Sequence, residues 1–469
     1  MNKKYSSLSK NTLLFTLNNF GSKIISFLLV PLYTTVLSSK DYGTADLLVS
    51  AVALMLPILT LNIQDAVLRF SLDKNENKEE VIRLGLRQML IGSVVLSLFL
   101  IIVSWLDIFK LDGKYILFLL ALFALNGFYN IFSMYLKAVD KINVFVIASL
   151  INTLVTCGLN VVLLLFLKMG INGYLVANIA GFLIANLIMF VFGDVIHCFK
   201  FKPRNGLFKE MLLYSSPLIF NSVAWWINDA SDKYVLTLFC GVAVNGVFAI
   251  AYKIPTILST VQTVFYNAWS ISAIKYFDKD DSDGFLGKIY SFYSCISVLG
   301  CSVILLLNIP LAKILYANEF FGAWQYVPFL LLGAVFNGLA LFEGCLFTAI
   351  KKTKAVSYTT IVGAIANFCT NIVLIKLIGP IGVSIATMIG YLTTWIVRTF
   401  LMLKFVNLRV NWTREIVALI LITAQTFLAI NPGFELIQIF LILILLTIYS
   451  KYLFVLVKSL LKKQDNNKL

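Results

Sequence analysis

Three lysines lie inside long apolar stretches of the sequence, where a charged side chain is costly. These are Lys23, Lys233 and Lys253. An ionisable residue at membrane depth costs about 2.5–3.5 kcal/mol on insertion scales, so such a residue marks a functional site by default. An ammonium group inside a membrane cavity favours an anionic ligand such as a phosphate. The three positions therefore predict a cationic, water-filled cavity for an anionic substrate.

Polar residues recur at three- and four-residue spacing before Lys233. The set is Asn221, Trp225, Asn228, Asp229 and Asp232. On a helix they form one stripe, which cannot face lipid and is predicted to line the cavity. Tyr252 is a further candidate, because aromatic rings stack on sugars. The alternative is that Asp229 and Lys233, four residues apart, neutralise each other and serve only in packing.

A cation site is the second chemistry that the sequence offers. Asp229 or Asp232, with Asn367, Asn371 and Thr387, could supply oxygen ligands for Na⁺. Asn367 and Asn371 are one helical turn apart, so their side chains share a face. The alternative interpretation is that these asparagines bridge helices by hydrogen bonds. The coupling ion would be Na⁺ or H⁺, and no resident cofactor or metal is predicted.

The elements that position these residues are predicted to be membrane-spanning helices. The chain is 60% hydrophobic and only 13% charged, with a mean hydropathy of +0.90, whereas soluble chains are about 25% charged. A span needs roughly 20 apolar residues. Fourteen such runs lie near 12–37, 43–69, 86–106, 115–136, 143–167, 173–196, 212–238, 246–271, 286–308, 326–349, 356–375, 381–403, 415–430 and 435–457.

The basic residues predict the orientation. Of 38 Lys and Arg, 26 fall in the segments on the side of the two termini and six in the segments on the other side. The positive-inside rule therefore places both termini in the cytoplasm. The net charge of +15 is thus explained by topology and does not indicate a nucleic-acid partner.

An internal repeat relates the two halves of the chain at a shift of about 203–211 residues. Leu136–Lys141 matches Phe347–Lys352, and Asn160 with its following residues matches Asn371. Since the shift covers six spans, the halves enter the membrane in the same direction, as in some secondary transporters. The prediction is an all-α polytopic membrane protein with two pseudo-symmetric six-helix lobes, 1–200 and 201–410, followed by two extra helices and a basic cytoplasmic tail in 411–469.

The sequence predicts a transporter and not an enzyme. It has no GxxxxGK[ST] nucleotide motif, no long external loop for a catalytic domain and a single histidine, His197.

Several segments together resemble the polysaccharide flippases of the multidrug/oligosaccharidyl-lipid/polysaccharide superfamily. They are Leu37–Gly43, Leu136–Lys141, Gly170–Gly173 and Gly379–Gly382. The resemblance implies a flippase in the bacterial inner (plasma) membrane that moves a polyprenyl-diphosphate-linked oligosaccharide from the cytoplasmic to the outer leaflet by alternating access. The implied partners are that glycolipid, membrane lipids, a polysaccharide polymerase and glycosyltransferases.

Lys23 and Lys253 resemble the cavity arginines of the lipid II flippases in the same superfamily. With lysine in place of arginine, the resemblance implies that each side chain binds the diphosphate as a point charge, because lysine lacks the bidentate fork of arginine. Two alternatives stay open within the superfamily, namely a multidrug or organic-cation exporter and a lipid II flippase.

The lysines provide the first test. We expect Lys23→Ala, Lys233→Ala and Lys253→Ala each to reduce surface glycan and to accumulate its lipid-linked precursor, because each removes a cation that faces the substrate. Both quantities would be measured in cells in which the variant is shown to reach the membrane. Normal export by all three variants would refute the cationic cavity.

Overall fold

The computed structural model describes residues 21–73, 75–106, 112–200 and 204–466. Within these ranges the chain is helical and contains no β-strand. The structure separates into two compact units, Met1–Ser231 and Asp232–Leu469, whose boundary lies within one helix. The division into 1–200, 201–410 and 411–469 stays a prediction.

The first unit is built from eight helices and the start of a ninth within its described residues. They are α1 (Gly21–Val36), α2 (Ser39–Leu59), α3 (Ile63–Ser71), α4 (Lys78–Trp105), α5 (Gly113–Ala138), α6 (Ile142–Val161, extended by a π-helical turn Val162–Phe166), α7 (Gly170–Phe192), a 3₁₀ segment Val195–Lys200, α8 (Leu207–Ser215) and α9 (Leu218–Cys240).

The second unit begins with the last residues of α9. It continues through α10 (Val242–Ala251), α11 (Pro255–Lys275), α12 (Phe285–Leu306), α13 (Asn308–Leu315), a 3₁₀ segment Asn318–Gln325, α14 (Val327–Ala349), α15 (Thr353–Ile378), α16 (Ile381–Met402), α17 (Trp412–Leu428) and α18 (Glu435–Asn466).

Side-chain caps start several of the long helices. Ser38, Asn77, Asp112 and Asn411 each accept a backbone N–H from the first turn of the helix that follows. Such a cap satisfies one of the amides that lack a partner at a helix start. Large apolar side chains remain exposed along the helices, including Trp105 at 85%, which fits a surface covered by lipid.

The helices agree with a chain that crosses the membrane many times. Among the described residues, ten helices are long and apolar enough to span a bilayer, or eleven if the bent pair α10–α11 is one span. The structure thus confirms an all-helical, multi-pass protein. The number fourteen and the side on which the termini lie stay predictions.

The turns that follow α5 and α14, which the predicted repeat pairs, have the same backbone form. Asp140 and Lys351 have positive φ angles of 62° and 59°. In each turn the next residue donates its backbone N–H to the carbonyl five residues earlier, over 2.9 Å. This left-handed residue with its closing bond is a helix C-cap of the Schellman type. Two stretches 211 residues apart in the sequence thus fold alike.

Close helix packing forms the centre of the second unit. In helix α14, 89% of the most apolar 18-residue stretch is buried inside the protein. This helix packs on α16, and α16 packs on α15. Gly363 and Gly390 let the backbones of α15 and α16 meet, since a Cβ at Gly390 would lie 2.6 Å from the Cβ of Asn367. Small residues allow this approach in membrane helices.

This contact generates a stability prediction. Gly390→Ala should destabilise the protein by about 1–3 kcal/mol, because a methyl group there overpacks the α15–α16 interface. Thermal unfolding in detergent would measure the change. Gly158→Ala is the matched control, since a Cβ at that helical glycine has no atom within 4 Å. Equal melting of Gly390→Ala and the wild type would contradict the tight packing.

Candidate functional site

The Asp232 cluster is a set of polar side chains in the second unit, all buried except the partly exposed Tyr252. It consists of Asp232 on α9, Tyr252 between α10 and α11, Asn367 and Asn371 on α15, and Thr387 on α16. Asp232 is 1% exposed, and Asn367, Asn371 and Thr387 are also buried. The structure thus brings together four of the five residues that the sequence offered as cation ligands, with Asp232 as the acid.

Three donors reach the two carboxylate oxygens of Asp232. Asn371 donates its Nδ2 to Oδ1 over 2.5 Å, and Thr387 donates its hydroxyl to Oδ2 over 2.6 Å. The Tyr252 hydroxyl donates to Oδ2 over 3.3 Å. Hydrogen bonds of this kind offset the desolvation of a buried carboxylate. They also join four segments of the chain at one charge.

The cluster contains an oxygen that no protein group satisfies. Asn371 donates its Nδ2 to Asn367 Oδ1 as well, over 2.6 Å, whereas Asn371 Oδ1 is buried without a hydrogen-bond partner. A buried polar atom left without a partner costs about 1–3 kcal/mol. The cluster therefore offers amide, carboxylate and hydroxyl oxygens, one of them without a donor. Hard cations prefer such a set of oxygen ligands.

The first unit has a neutral counterpart of this cluster. Asn160 on α6, which the repeat pairs with Asn371, donates its Nδ2 to the Tyr33 hydroxyl over 3.2 Å. Asn160 is also fully buried, and its Oδ1 likewise lacks a partner. The side-chain acceptor for this Nδ2 is thus a phenol in the first unit and the Asp232 carboxylate in the second. Among the described residues, the amide donates to an acidic side chain only in the second unit.

A helix break carries Lys253 next to the cluster. Helices α10 and α11 meet at 48° across Tyr252–Ile254, and α11 begins at Pro255. Proline has no N–H and ends or bends a helix, which accounts for the break. Tyr252 lies in the break, with its hydroxyl on Asp232. Lys253, the next residue, is partly exposed.

The structure describes the side chains of only two of the other predicted cavity residues. Lys23 is exposed on α1 of the first unit, and Lys233 is partly exposed on α9 directly after Asp232. The side chains of Asn221, Trp225, Asn228 and Asp229 lie outside the described part of the structure. Their roles, and the proposed Asp229–Lys233 pair, stay predictions.

A second buried polar network contains Arg398, to which the sequence interpretation gave no role, and Glu343, which it noted only as an acid at membrane depth. Arg398, 3% exposed on α16, donates to the Ala340 carbonyl over 2.8 Å and to the hydroxyls of Thr359 and Thr360 over 2.9 and 2.8 Å. Glu343 on α14 is fully buried and accepts from Thr399 over 2.7 Å. The signal was an arginine within an apolar run. The network fastens α14, α15 and α16 together.

The sequence matches the profile of one known protein family. The profile of the family described as "Polysaccharide biosynthesis protein" matches residues 8–270, more than half of the chain. A comparison of the sequence with curated proteins finds no match.

Solved transporters share the fold at low sequence identity. A lipid II flippase MurJ in an inward closed conformation is similar with a TM-score of 0.70 at 15% identity, covering 96% of this chain and 100% of that one. An inward-facing multidrug resistance MATE family transporter gives 0.62 at 15% identity, covering 86% and 96%. An outward-facing conformation of a multidrug resistance MATE family transporter gives a TM-score of 0.59 at 14% identity, covering 88% of this chain and 96% of that one.

The Asp232 cluster generates a prediction about cation-dependent stability. Wild-type protein should melt at a higher temperature in NaCl than in choline chloride, because a ligand that binds only the folded state stabilises it. Asp232→Asn should lose this increment, since its amide has no charge to hold the ion. Glu343→Gln, at another buried acid of the same unit, should retain it. An undiminished increment in Asp232→Asn would place the ion elsewhere.

Proposed function

Since this chain belongs to the polysaccharide biosynthesis protein family, we propose that it is a cation-coupled flippase for a polyprenyl-diphosphate-linked oligosaccharide. It would move the lipid-linked repeat unit of a surface polysaccharide from the cytoplasmic to the outer leaflet of the bacterial plasma membrane. The observation that supports coupling best is the buried Asp232 carboxylate with the unsatisfied Asn371 oxygen beside it.

The physical task explains why a protein is needed. A diphosphate and a glycan cannot cross about 30 Å of hydrocarbon unaided, because their charges and hydroxyls would lose water without replacement. The prenyl chain can stay in lipid. A protein therefore needs only to hold the polar head in a wet passage and to change the leaflet to which that passage opens.

The cation would bind at the Asp232 cluster. Asp232 would supply the charge, and Asn371 Oδ1, Asn367 Oδ1 and the Thr387 hydroxyl would supply neutral oxygens. A sodium ion there would satisfy the orphan amide oxygen and neutralise the carboxylate. Protonation of Asp232 would also remove the charge, so the proton is the alternative coupling ion.

The lysines would bind the diphosphate. Lys253 lies at the α10–α11 break, Lys233 follows Asp232, and Lys23 lies on α1. Each ammonium would pair with a phosphate oxygen as a point charge. Glycosyltransferases that build the lipid-linked unit and a polymerase that consumes it would act before and after this step.

Reconstitution would test the substrate and the ion together. Proteoliposomes would contain a labelled polyprenyl-diphosphate-linked oligosaccharide, lipid II or an organic cation, with a Na⁺ gradient, a pH gradient or none. We expect the oligosaccharide lipid to move, faster with a Na⁺ gradient, and Asp232→Asn to lose the gradient dependence. Glu343→Gln should keep it.

The other outcomes separate the alternatives. Transport of the organic cation without the glycolipid would indicate an exporter, and equal movement of lipid II would indicate a lipid II flippase. A response to the pH gradient alone would make the proton the coupling ion. No movement of any glycolipid would refute the proposed function.

A further inference from the structure

We propose that Tyr252 is a positioning residue that couples cation occupancy of the Asp232 cluster to the position of Lys253. The inference rests on the proposed function, because it assumes that the cluster binds a cation and that Lys253 binds a diphosphate. It adds the connection between the two ligands. All of its contacts lie within the second unit.

The Tyr252 hydroxyl is the only contact that the α10–α11 break makes to Asp232 among the hydrogen bonds of the described residues. It donates to Oδ2, the oxygen that Thr387 also contacts. A cation bound to this carboxylate competes with the phenol proton for the oxygen, and repulsion between the ion and that proton pushes the hydroxyl away from Oδ2. This withdrawal displaces the phenol.

The ring of Tyr252 is held firmly enough to transmit that displacement. It packs edge-on against Phe248 of α10, with centroids 5.4 Å apart. Phe248 is fully buried and packs in the same way against Tyr326, with centroids 5.5 Å apart. The aromatic contacts fix the ring on the α10 side. A displacement of the phenol must therefore be taken up by the backbone of the break.

The break is the part of this segment best able to yield. The α-helical ladder is interrupted between Ala251 and Pro255, and the Lys253 amide bonds only three residues back, to Ile250 over 2.9 Å. Broken helices of this kind sit at the substrate and ion sites of many transporters. Because Lys253 directly follows Tyr252, rotation of the break moves its ammonium group.

Linkage makes the proposal measurable. If Na⁺ changes the affinity for a diphosphate, the diphosphate changes the affinity for Na⁺ by the same factor. Purified protein in lipid nanodiscs would be titrated with farnesyl diphosphate in NaCl and in choline chloride of equal ionic strength. We expect the wild-type dissociation constants to differ by about fivefold or more, in the range typical of allosteric coupling.

Tyr252→Phe isolates the hydroxyl, since it keeps the ring and its contact with Phe248. Farnesyl diphosphate and Na⁺ should each still bind, but the ratio of the two dissociation constants should fall to about one. Tyr266→Phe removes a hydroxyl from the neighbouring helix α11 and should keep the wild-type ratio. Hydrogen exchange of the backbone amides at 250–256 should respond to Na⁺ in the wild type and in Tyr266→Phe, but not in Tyr252→Phe.

The outcomes are distinguishable. A wild-type ratio in Tyr252→Phe, with unchanged exchange behaviour, would overturn the role of Tyr252 and leave the flippase function intact. Equal affinities in both salts for the wild type would overturn the coupling itself. Failure of wild-type protein to bind farnesyl diphosphate in either salt would count against the diphosphate site, and so against the proposed function as well.

Discussion

The carboxylate of Asp232 is 1% exposed inside an apolar helical unit, and a charge in that position is unfavourable unless its surroundings compensate for it. Donors from α15, α16 and the α10–α11 break supply part of that compensation, and a cation would supply the rest. The close approach of α15 and α16 at Gly390 is made against Asn367, which lies one helical turn before Asn371. Several helices are therefore joined at one buried carboxylate.

The two units differ in the charge of the side chain that their buried asparagine contacts. Both units end their corresponding helices with the same left-handed turn, and both bury an asparagine whose amide oxygen lacks a partner. In the first unit the asparagine meets Tyr33, which is neutral, and in the second it meets Asp232. The acidic side chain makes the second unit the candidate for binding a cation.

The apolar runs predicted where helices lie, because a span must hide its backbone from lipid whatever its neighbours are. They did not predict where a run breaks, since 43–69, 212–238 and 246–271 each fall on two helices. Helical spacing placed Asn367 and Asn371 on one face, and the structure joins both to Asp232. Residue spacing could not show whether Asp229 or Asp232 meets these asparagines, because spacing describes the faces of one helix and not its contacts with another. Tyr252 was a candidate for its ring, which could stack on sugars, and nothing in the sequence indicated that its hydroxyl contacts Asp232. Contacts between α9, the α10–α11 break and α15 arise from tertiary packing, which no local pattern contains. The Arg398 network was missed for the same reason.

Equilibrium binding of ²²Na⁺ to purified protein tests the central claim most directly, since it needs neither the substrate nor a membrane gradient. The account predicts a single saturable site that is lost in Asp232→Asn, weakened in Asn371→Leu, and retained in Asn160→Leu, the equivalent change in the first unit. Absence of saturable binding in the wild type, or unchanged binding in Asp232→Asn, would contradict it.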